Sequence, residues 1–442
     1  MRIIYTFTKN NHTNALDMDS NNFRQILIEQ QEELIINFEG SWINRDKEKD
    51  INTRSNLVQI VTGIRRCGKS TLAQMALRKI KYAYVNFDDE RLDGLKAEDL
   101  NYLLEALYAV YGEFDHLLLD EIQNIDGWHL FVNRLLRNKI RIILTGSNSN
   151  MLSREMASHL TGRYATIELL PFSFSEYLEA KKLKLKSLDT AKGKGLAMNL
   201  FMKYLINGGL PEVVRGEDRK PYVANLFDAI VTRDIIYRYK IRHVRTFREI
   251  SLWLTGNFGT EISYNRIKNI FGLGSENTAK NYVSFLEEAW LFISLSKFSF
   301  KKQESLRNRK LYLADTSFAE LAGESGSQNI GRLLENVVML QLLRNRLRRG
   351  YEIFFYKSSV EVDFLIYRQR SVRELIQVSL SIENKKTRNR EVRALITATR
   401  QLKAANLTII TMNEEETIET EGVTINVKPV IKWVLEDEFI SF

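Results

Sequence analysis

The run Gly63-Ile64-Arg65-Arg66-Cys67-Gly68-Lys69-Ser70 constrains what this chain can fold into more than any other feature. It matches G-x-x-x-x-G-K-[ST], which arises by chance in a chain this long only about 2% of the time at average composition. Its surroundings agree with it. An apolar run, Val58 to Val61, precedes the glycines, and a helical pattern with Leu72, Met75, Ala76 and Ile80 follows. A strand, a glycine turn and a helix turn backbone N–H groups toward phosphate oxygens and present the positive helix end to them. Gly63 and Gly68 allow the turn. Lys69 is placed to reach β- and γ-phosphates, and the Ser70 hydroxyl to ligate Mg²⁺. Arg66, Cys67 and Thr71 complete the expected nucleotide-binding set, with ATP and Mg²⁺ as the bound species.

Further along, His116-Leu117-Leu118-Leu119-Asp120-Glu121 is an apolar run ending in two carboxylates. It reads as a buried parallel strand that delivers acids to the carboxyl edge of the sheet, where ligands bind in such folds. Asp120 is expected to hold Mg²⁺ through water, and Glu121 to orient and deprotonate an attacking water. A third apolar run, Ile142 to Leu144, ends in Thr145-Gly146-Ser147-Asn148. Ser147 and Asn148 are candidates to sense the γ-phosphate. Arg163, in Leu160-Thr161-Gly162-Arg163-Tyr164, is a candidate to stabilise transition-state charge, in its own subunit or for a neighbouring copy. A solvated arginine is the alternative.

Strand-like runs at 57–62, 82–87, 116–119 and 141–144 alternate with helical stretches, which predicts βαβ units and a parallel sheet in an α/β fold. A helix is expected over 22–38, with Ile26, Ile28, Leu34, Ile35 and Ile36 as core residues, and a charged loop over 44–54. Residues 172–231 read as helical around a loop at 181–195. Residues 247–300 read as a compact helical unit ending in an apolar run at 290–295. Short strands are expected at 310–313, 352–356, 362–367, 374–378 and 407–411, with helices at 331–346 and 388–405. The units are therefore 1–54, 55–170, 171–244, 245–300 and 301–442. With 442 residues, 44% hydrophobic and 27% charged, wholesale disorder is excluded. A single cysteine rules out an intrachain disulfide and a cysteine-built zinc site. No apolar run reaches the roughly 18 residues of a membrane span, and the opening residues are too polar for a signal peptide. A reducing, cytoplasmic setting and no membrane partner are expected. The net charge of +9 favours an anionic partner, with solubility as the plain alternative.

The ordered set Gly63–Leu72, Leu119-Asp120-Glu121-Ile122-Gln123, Leu144-Thr145-Gly146-Ser147, Thr161-Gly162-Arg163-Tyr164, Leu170-Pro171-Phe172-Ser173-Phe174 and Gly208-Gly209-Leu210-Pro211-Glu212 resembles the bacterial and archaeal AAA-type ATP-binding proteins that carry a C-terminal domain of unknown function. The resemblance covers nearly the whole chain beyond residue 22. It implies an AAA-like P-loop module with a helical lid, a winged-helix segment, and a smaller α/β domain similar to restriction endonucleases.

Two further segments carry expectations. Ser263 is predicted to cap one short helix and Ser275 a second, on either side of Gly272-Leu273-Gly274. Lys280 and Tyr282 are predicted outward, and Val283, Leu286 and Leu291 inward. That is helix-turn-helix geometry, which suits DNA or a protein partner. Arg233 to Arg248, with Arg238, Tyr239, Lys240, Arg242 and Arg245, adds a basic, aromatic-dotted face. In the last domain the endonuclease pattern would place Glu335, Asp363 and an acid-x-Lys around Mg²⁺. Here Gln377 and Ser379 replace that acid and lysine, so a degenerate metal site of Glu335, Asp363 and Gln377, with no cleavage, is expected. Three uses follow: an ATP-hydrolysing switch or motor near nucleic acid, an ATP-dependent protein-interaction module, or an ATP-gated nuclease.

Overall fold

Five parallel strands form one sheet in the order β2-β3-β4-β1-β5. They are β1 (Val58–Thr62), β2 (Ala83–Asn86), β3 (His116–Asp120), β4 (Arg141–Gly146) and β5 (Tyr164–Glu168). This is a computed structural model; it describes residues 20–38, 42–147, 162–185, 188, 190–300, 308–323 and 327–439. β1 is buried along its whole length, with β4 on one side and β5 on the other. The turn that follows it therefore lies at the middle of the sheet's carboxyl edge, where the ends of β3 and β4 also arrive. Such near-continuous apolar strands are what a parallel sheet covered on both faces demands.

The open edge at β2 is covered by the helix Ser20–Phe38. Its Gln30 side chain donates to Asn86 O and accepts from Asn86 N–H, both at 3.0 Å, taking the place of a further strand. The face that it buries is Phe23, Ile26, Leu27 and Leu34, while Ile28, Ile35 and Ile36 are exposed. This corrects the expected core set: the i, i+3, i+4 row starts at Phe23, and Ile28, Ile35 and Ile36 fall off it. β5 also went unread, because Tyr-Ala-Thr-Ile-Glu is a half-buried edge strand without an apolar run.

Beyond the sheet, the helices Phe174–Ala180, Ala191–Asn207, Pro211–Arg215 and Arg219–Ala229 lead into a π-helical segment, Ile230–Tyr237. A helix Val244–Gly256, a short strand β6 (Glu261–Ile262), two helices Tyr264–Ile270 and Glu276–Glu288, and strands β7 (Phe292–Ser296) and β8 (Arg309–Leu313) follow. Ser263 and Ser275 cap the two helices as expected. Lys280 faces out, but Tyr282 is buried edge-on against Phe247. β6, β8 and β7 form a three-stranded antiparallel sheet. The strand at 310–313, assigned from sequence to the last domain, thus belongs to this sheet instead.

The C-terminal sheet is mixed, in the order β13-β14-β12-β11-β10-β9. Its strands are β9 (Glu352–Lys357), β10 (Glu361–Arg368), β11 (Ser371–Val378), β12 (Asn406–Thr411), β13 (Glu416–Thr420) and β14 (Val423–Pro429). The long helix Ser327–Arg349 ties the three sheets together. Its Asn336 side chain bonds both the N–H and the C=O of Leu313 on β8, at 2.8 and 2.9 Å. Arg344 donates to Pro171 O at 2.6 Å, and Arg346 pairs with Glu168 on β5. Among the described residues no helix is long and apolar enough to cross a membrane.

Candidate functional site

Residues 63–70 form a tight turn at the end of β1 and open the helix Lys69–Leu77. Gly63 is obligatory by contact: a Cβ there would lie 2.0 Å from Leu169 O. Gly68, the N-cap, has φ of +93°, which directs the following amides outward. Cys67 is fully buried, and its Sγ faces Leu169 O at 3.4 Å. Its side chain packs the loop from behind and does not line the cavity, which leaves its place in the loop to the backbone. Burial pushes its thiol pKa up. Arg66 and Thr71 line the cavity mouth, with Arg66 exposed and 3.9 Å from Glu212.

Lys69 is buried. Its Nζ donates to Ile64 O at 3.3 Å and lies 3.5 Å from Glu121 Oε1. Burial opposes its charge, but the neighbouring groups, Glu121 foremost, outweigh this, and its pKa is raised. Ser70 Oγ donates to Asp120 Oδ1 at 2.8 Å. Asp120 also accepts from Thr145 Oγ1 and, at 3.4 Å, from Tyr84. Burial first, and the adjacent Glu121 second, push the Asp120 carboxyl up to about 6. Glu121 leaves the strand with φ of +53°, a left-handed conformation that turns its side chain back toward Lys69. Gln123 donates to it, and Ser147 offers both N–H at 3.3 Å and Oγ at 3.4 Å. Burial would raise the Glu121 pKa, yet Lys69 and these hydrogen bonds hold it below the usual carboxylate value.

The structure therefore brings Lys69, Ser70, Asp120, Glu121 and Ser147 together. Asn148 lies outside the described residues. Arg163 is elsewhere: exposed, with its C=O bonded to Val58 N–H at the start of β1. That is the opposite edge of the sheet, about 13 Å of strand away from the turn, so it does not reach the cavity of its own chain.

Several residues of the site went unread. Arg45 is buried and braces the loop. It donates to Cys67 O at 2.9 Å and Leu170 O at 2.6 Å, pairs with Glu176 at 2.9 Å, and lies over the Phe172 ring. Thr145 joins the two carboxylate residues, accepting from Glu121 N–H at 3.1 Å while donating to Asp120. At the cavity rim Arg65 faces Asp88 at 3.6 Å and Asp234 at 3.9 Å, and Arg233 bonds Asp88 at 2.7 Å. The cavity holds about 870 Å³ between the glycine turn, Phe172, and the helices that carry Pro211, Tyr222, Asn225 and Leu226. That volume accommodates a nucleoside triphosphate.

The expected second acidic site is different in kind. Glu335, Glu361 and Asp363 converge on the Lys310 ammonium of β8, at 3.4, 2.8 and 3.8 Å. Gln377 is fully engaged: Oε1 accepts from Asp363 N–H at 2.8 Å, and Nε2 donates to Glu391 at 2.7 Å. Ser379 donates to Ser381 O. A side-chain cation occupies the position assigned from sequence to a degenerate metal, and the described residues contain no metal-binding cluster.

Residues 55–178 match the family described as AAA domain. Residues 198–328 and 330–430 match two domains of unknown function, DUF8612 and DUF4143. The protein MJ1544 of Methanocaldococcus jannaschii is 33% identical over 410 residues, which span 89% of this chain and 91% of that protein. A Haemophilus influenzae protein is 30% identical over 347 residues, spanning 74% of this chain and 83% of its own. Among solved structures, the Walker-type ATPase PABY2304 of Pyrococcus abyssi aligns with 64% of this chain and 96% of its own, at 14% identity and a TM-score of 0.38.

Proposed function

The chain belongs to the AAA-domain proteins that also carry the DUF8612 and DUF4143 regions, and from that premise we propose that it is an Mg²⁺-dependent ATPase acting as a switch near nucleic acid. The observation that carries this reading is the Ser70–Asp120 hydrogen bond, with Lys69 and Glu121 paired beside it. A hydroxyl and a carboxylate held 2.8 Å apart are the pair that would hold Mg²⁺, one directly and one through water. When bound, Mg²⁺ neutralises phosphate charge. Lys69 has one backbone acceptor and one carboxylate neighbour, and exchanges the latter for phosphate oxygens. Glu121 then loses the cation that holds its pKa down and becomes a better base for the water that it orients. Ser147 holds the Glu121 carboxylate in place. Arg163 is assigned to a neighbouring copy's site.

We read the helix, strand, two-helix and hairpin order of residues 244–313 as a winged helix, an arrangement that suits a nucleic-acid partner. The C-terminal domain is read as a platform that does not cut, because Lys310 fills its acidic site. Phosphate release in the presence of Mg²⁺, measured for the wild type and Glu121→Gln with and without DNA, RNA and protein fractions, tests the reading. Turnover that needs Glu121 and rises with nucleic acid supports it. Absence of ATP binding, or hydrolysis indifferent to Glu121, refutes it.

A further inference from the structure

The basic stretch noted in the sequence takes a specific form. The π-helix Ile230–Tyr237 starts beside the nucleotide cavity and ends on a solvent-facing turn. π-Helices normally appear as single-turn bulges, often at functional sites, and this one runs for eight residues. Its middle belongs to the cavity rim through Arg233–Asp88 and Arg65–Asp234. Its last residue, Tyr237, is 83% exposed. Most of its ring therefore lies in water, open to a stacking partner.

The residues around Tyr237 are cationic. Between Asp234 and Glu249 the sequence contains no acid but has Arg238, Lys240, Arg242, Arg245 and Arg248. Arg245 and Arg248 are engaged, with Glu249 and Asp228. Arg238 feels the charge of Asp234. Lys240 and Arg242 are exposed and have no ion-pair partner among the described residues. The turn is also held rigidly. Tyr239 stacks on Phe285 of the second helix of the helix-turn-helix unit, with ring centroids 4.0 Å apart and planes at 11°, and its hydroxyl bonds Glu288. Lys240 has a left-handed φ of +51°, and Ile241 is buried. A fixed turn that offers one bare aromatic face among unpaired cations suits a ligand with phosphates and unpaired, stackable rings.

We propose that the turn Tyr237–Arg242 is a binding site for single-stranded nucleic acid, with Tyr237 as a stacking platform and Arg238, Lys240 and Arg242 as phosphate contacts. Duplex bases are already stacked on each other and offer Tyr237 no face, so the ligand is single-stranded. Because the same π-helix carries Arg233 and Asp234, occupancy of the turn and of the nucleotide cavity influence one another. That coupling rests on the nucleotide reading above, whereas the stacking site does not.

The test is fluorescence anisotropy of a dye-labelled oligothymidylate with the full chain, beside calorimetry of Mg²⁺-ATP binding to the same variants. Tyr237→Ala should weaken oligonucleotide binding about 5- to 150-fold, the range for loss of one stacked base. Tyr237→Phe should bind as the wild type does. The logarithmic salt slope should be about −2 for three phosphate contacts, and should become shallower in Lys240→Glu and Arg242→Glu. All these residues are exposed, so ATP affinity without oligonucleotide should stay unchanged. No binding of single strands, binding indifferent to Tyr237→Ala, or equally tight duplex binding would each overturn the site. If ATP is not hydrolysed but oligonucleotide binding still depends on Tyr237, the ATPase reading and the coupling fall and the site stands. If ATP is hydrolysed and neither ligand changes the other's affinity, the coupling alone is refuted.

Discussion

At the scale of single residues, the site is a set of charges held in mutual reach before any ligand arrives. Lys69 is the buried cation that faces Glu121 at the end of the turn, so Lys69→Ala removes the group that would meet the β- and γ-phosphates. A large loss of Mg²⁺-ATP affinity is expected by calorimetry, and unchanged affinity in a folded variant would contradict the assignment of the turn. Glu121→Gln keeps the shape and removes the base. Binding should persist while steady-state phosphate release falls roughly 10²- to 10⁴-fold. These residues were legible from sequence because their chemistry depends on local spacing within one turn and at one strand end. Arg45 was not. Its partners lie 22, 125 and 131 residues away at Cys67, Leu170 and Glu176. In sequence it sits in a charged stretch that looks solvated, and only the fold gives it acceptors. The side-chain direction of Cys67, toward the core, was likewise set by the fold and not by its place in the motif.

Among elements, the Gly208-Gly209-Leu210-Pro211-Glu212 run shows how a recognisable string acquires a physical cause. Gly209 bonds Phe172 N–H through its C=O and donates its own N–H to Asp315 Oδ2 at 2.7 Å. Gly208 has φ of +76°, and a Cβ on it would lie 1.8 Å from Asp315 Oδ1. Three segments, after β5, before the helix Pro211–Arg215 and after β8, thus meet with no room for a methyl group. Gly208→Ala is expected to destabilise the protein by more than about 3 kcal/mol, since left-handed strain and a clash with a buried carboxylate act together. Urea unfolding monitored by tryptophan fluorescence measures this, and Gly216→Ala serves as a comparison at a glycine with open space around it. Helices and apolar strands were readable from periodicity. β5, β13 and β14 were not, because half-exposed strands such as Glu416–Thr420 alternate without an apolar run. The allegiance of β8 was unreadable for a different reason: pairing with β6 and β7 is a choice between sheets, and a strand's own sequence does not encode it.

Across the whole molecule, the modules meet at the group formed by the buried Lys310 of β8, the half-buried Glu335 of the long helix and Asp363 of β10, and the exposed Glu361 of β10. Three carboxylates around one ammonium carry excess negative charge if all ionise. The structure relieves this at Asp363: burial, and next the nearby Glu335, raise its carboxyl to about 8. The folded protein therefore holds a proton that the unfolded chain, with an ordinary aspartate, gives up near pH 4. Stability from this group is fully present below that pH and is lost as pH rises through about 8, by at most about 1.4 kcal/mol per pH unit. Asp363→Asn has no such proton to lose, and its amide oxygen still accepts from Val378 N–H, the bond that Asp363 makes at 2.9 Å. The midpoint of wild-type unfolding should accordingly fall relative to Asp363→Asn between pH 5 and pH 8, and the difference should level off above that. Parallel curves across the range would show that Asp363 titrates as it does in water. Lys310→Met sharpens the argument. Removing the ammonium leaves the half-buried Glu335 without its counter-charge, while Glu361 keeps Lys357 at 3.6 Å, so the cost near neutral pH should fall below the roughly 3–5 kcal/mol of a fully buried pair. Adding Glu335→Gln to Lys310→Met removes one of those charges and keeps an oxygen that accepts from Tyr312, so the double variant should regain part of the loss. A double variant less stable than Lys310→Met would mean that the cluster is held by packing, with charge contributing little.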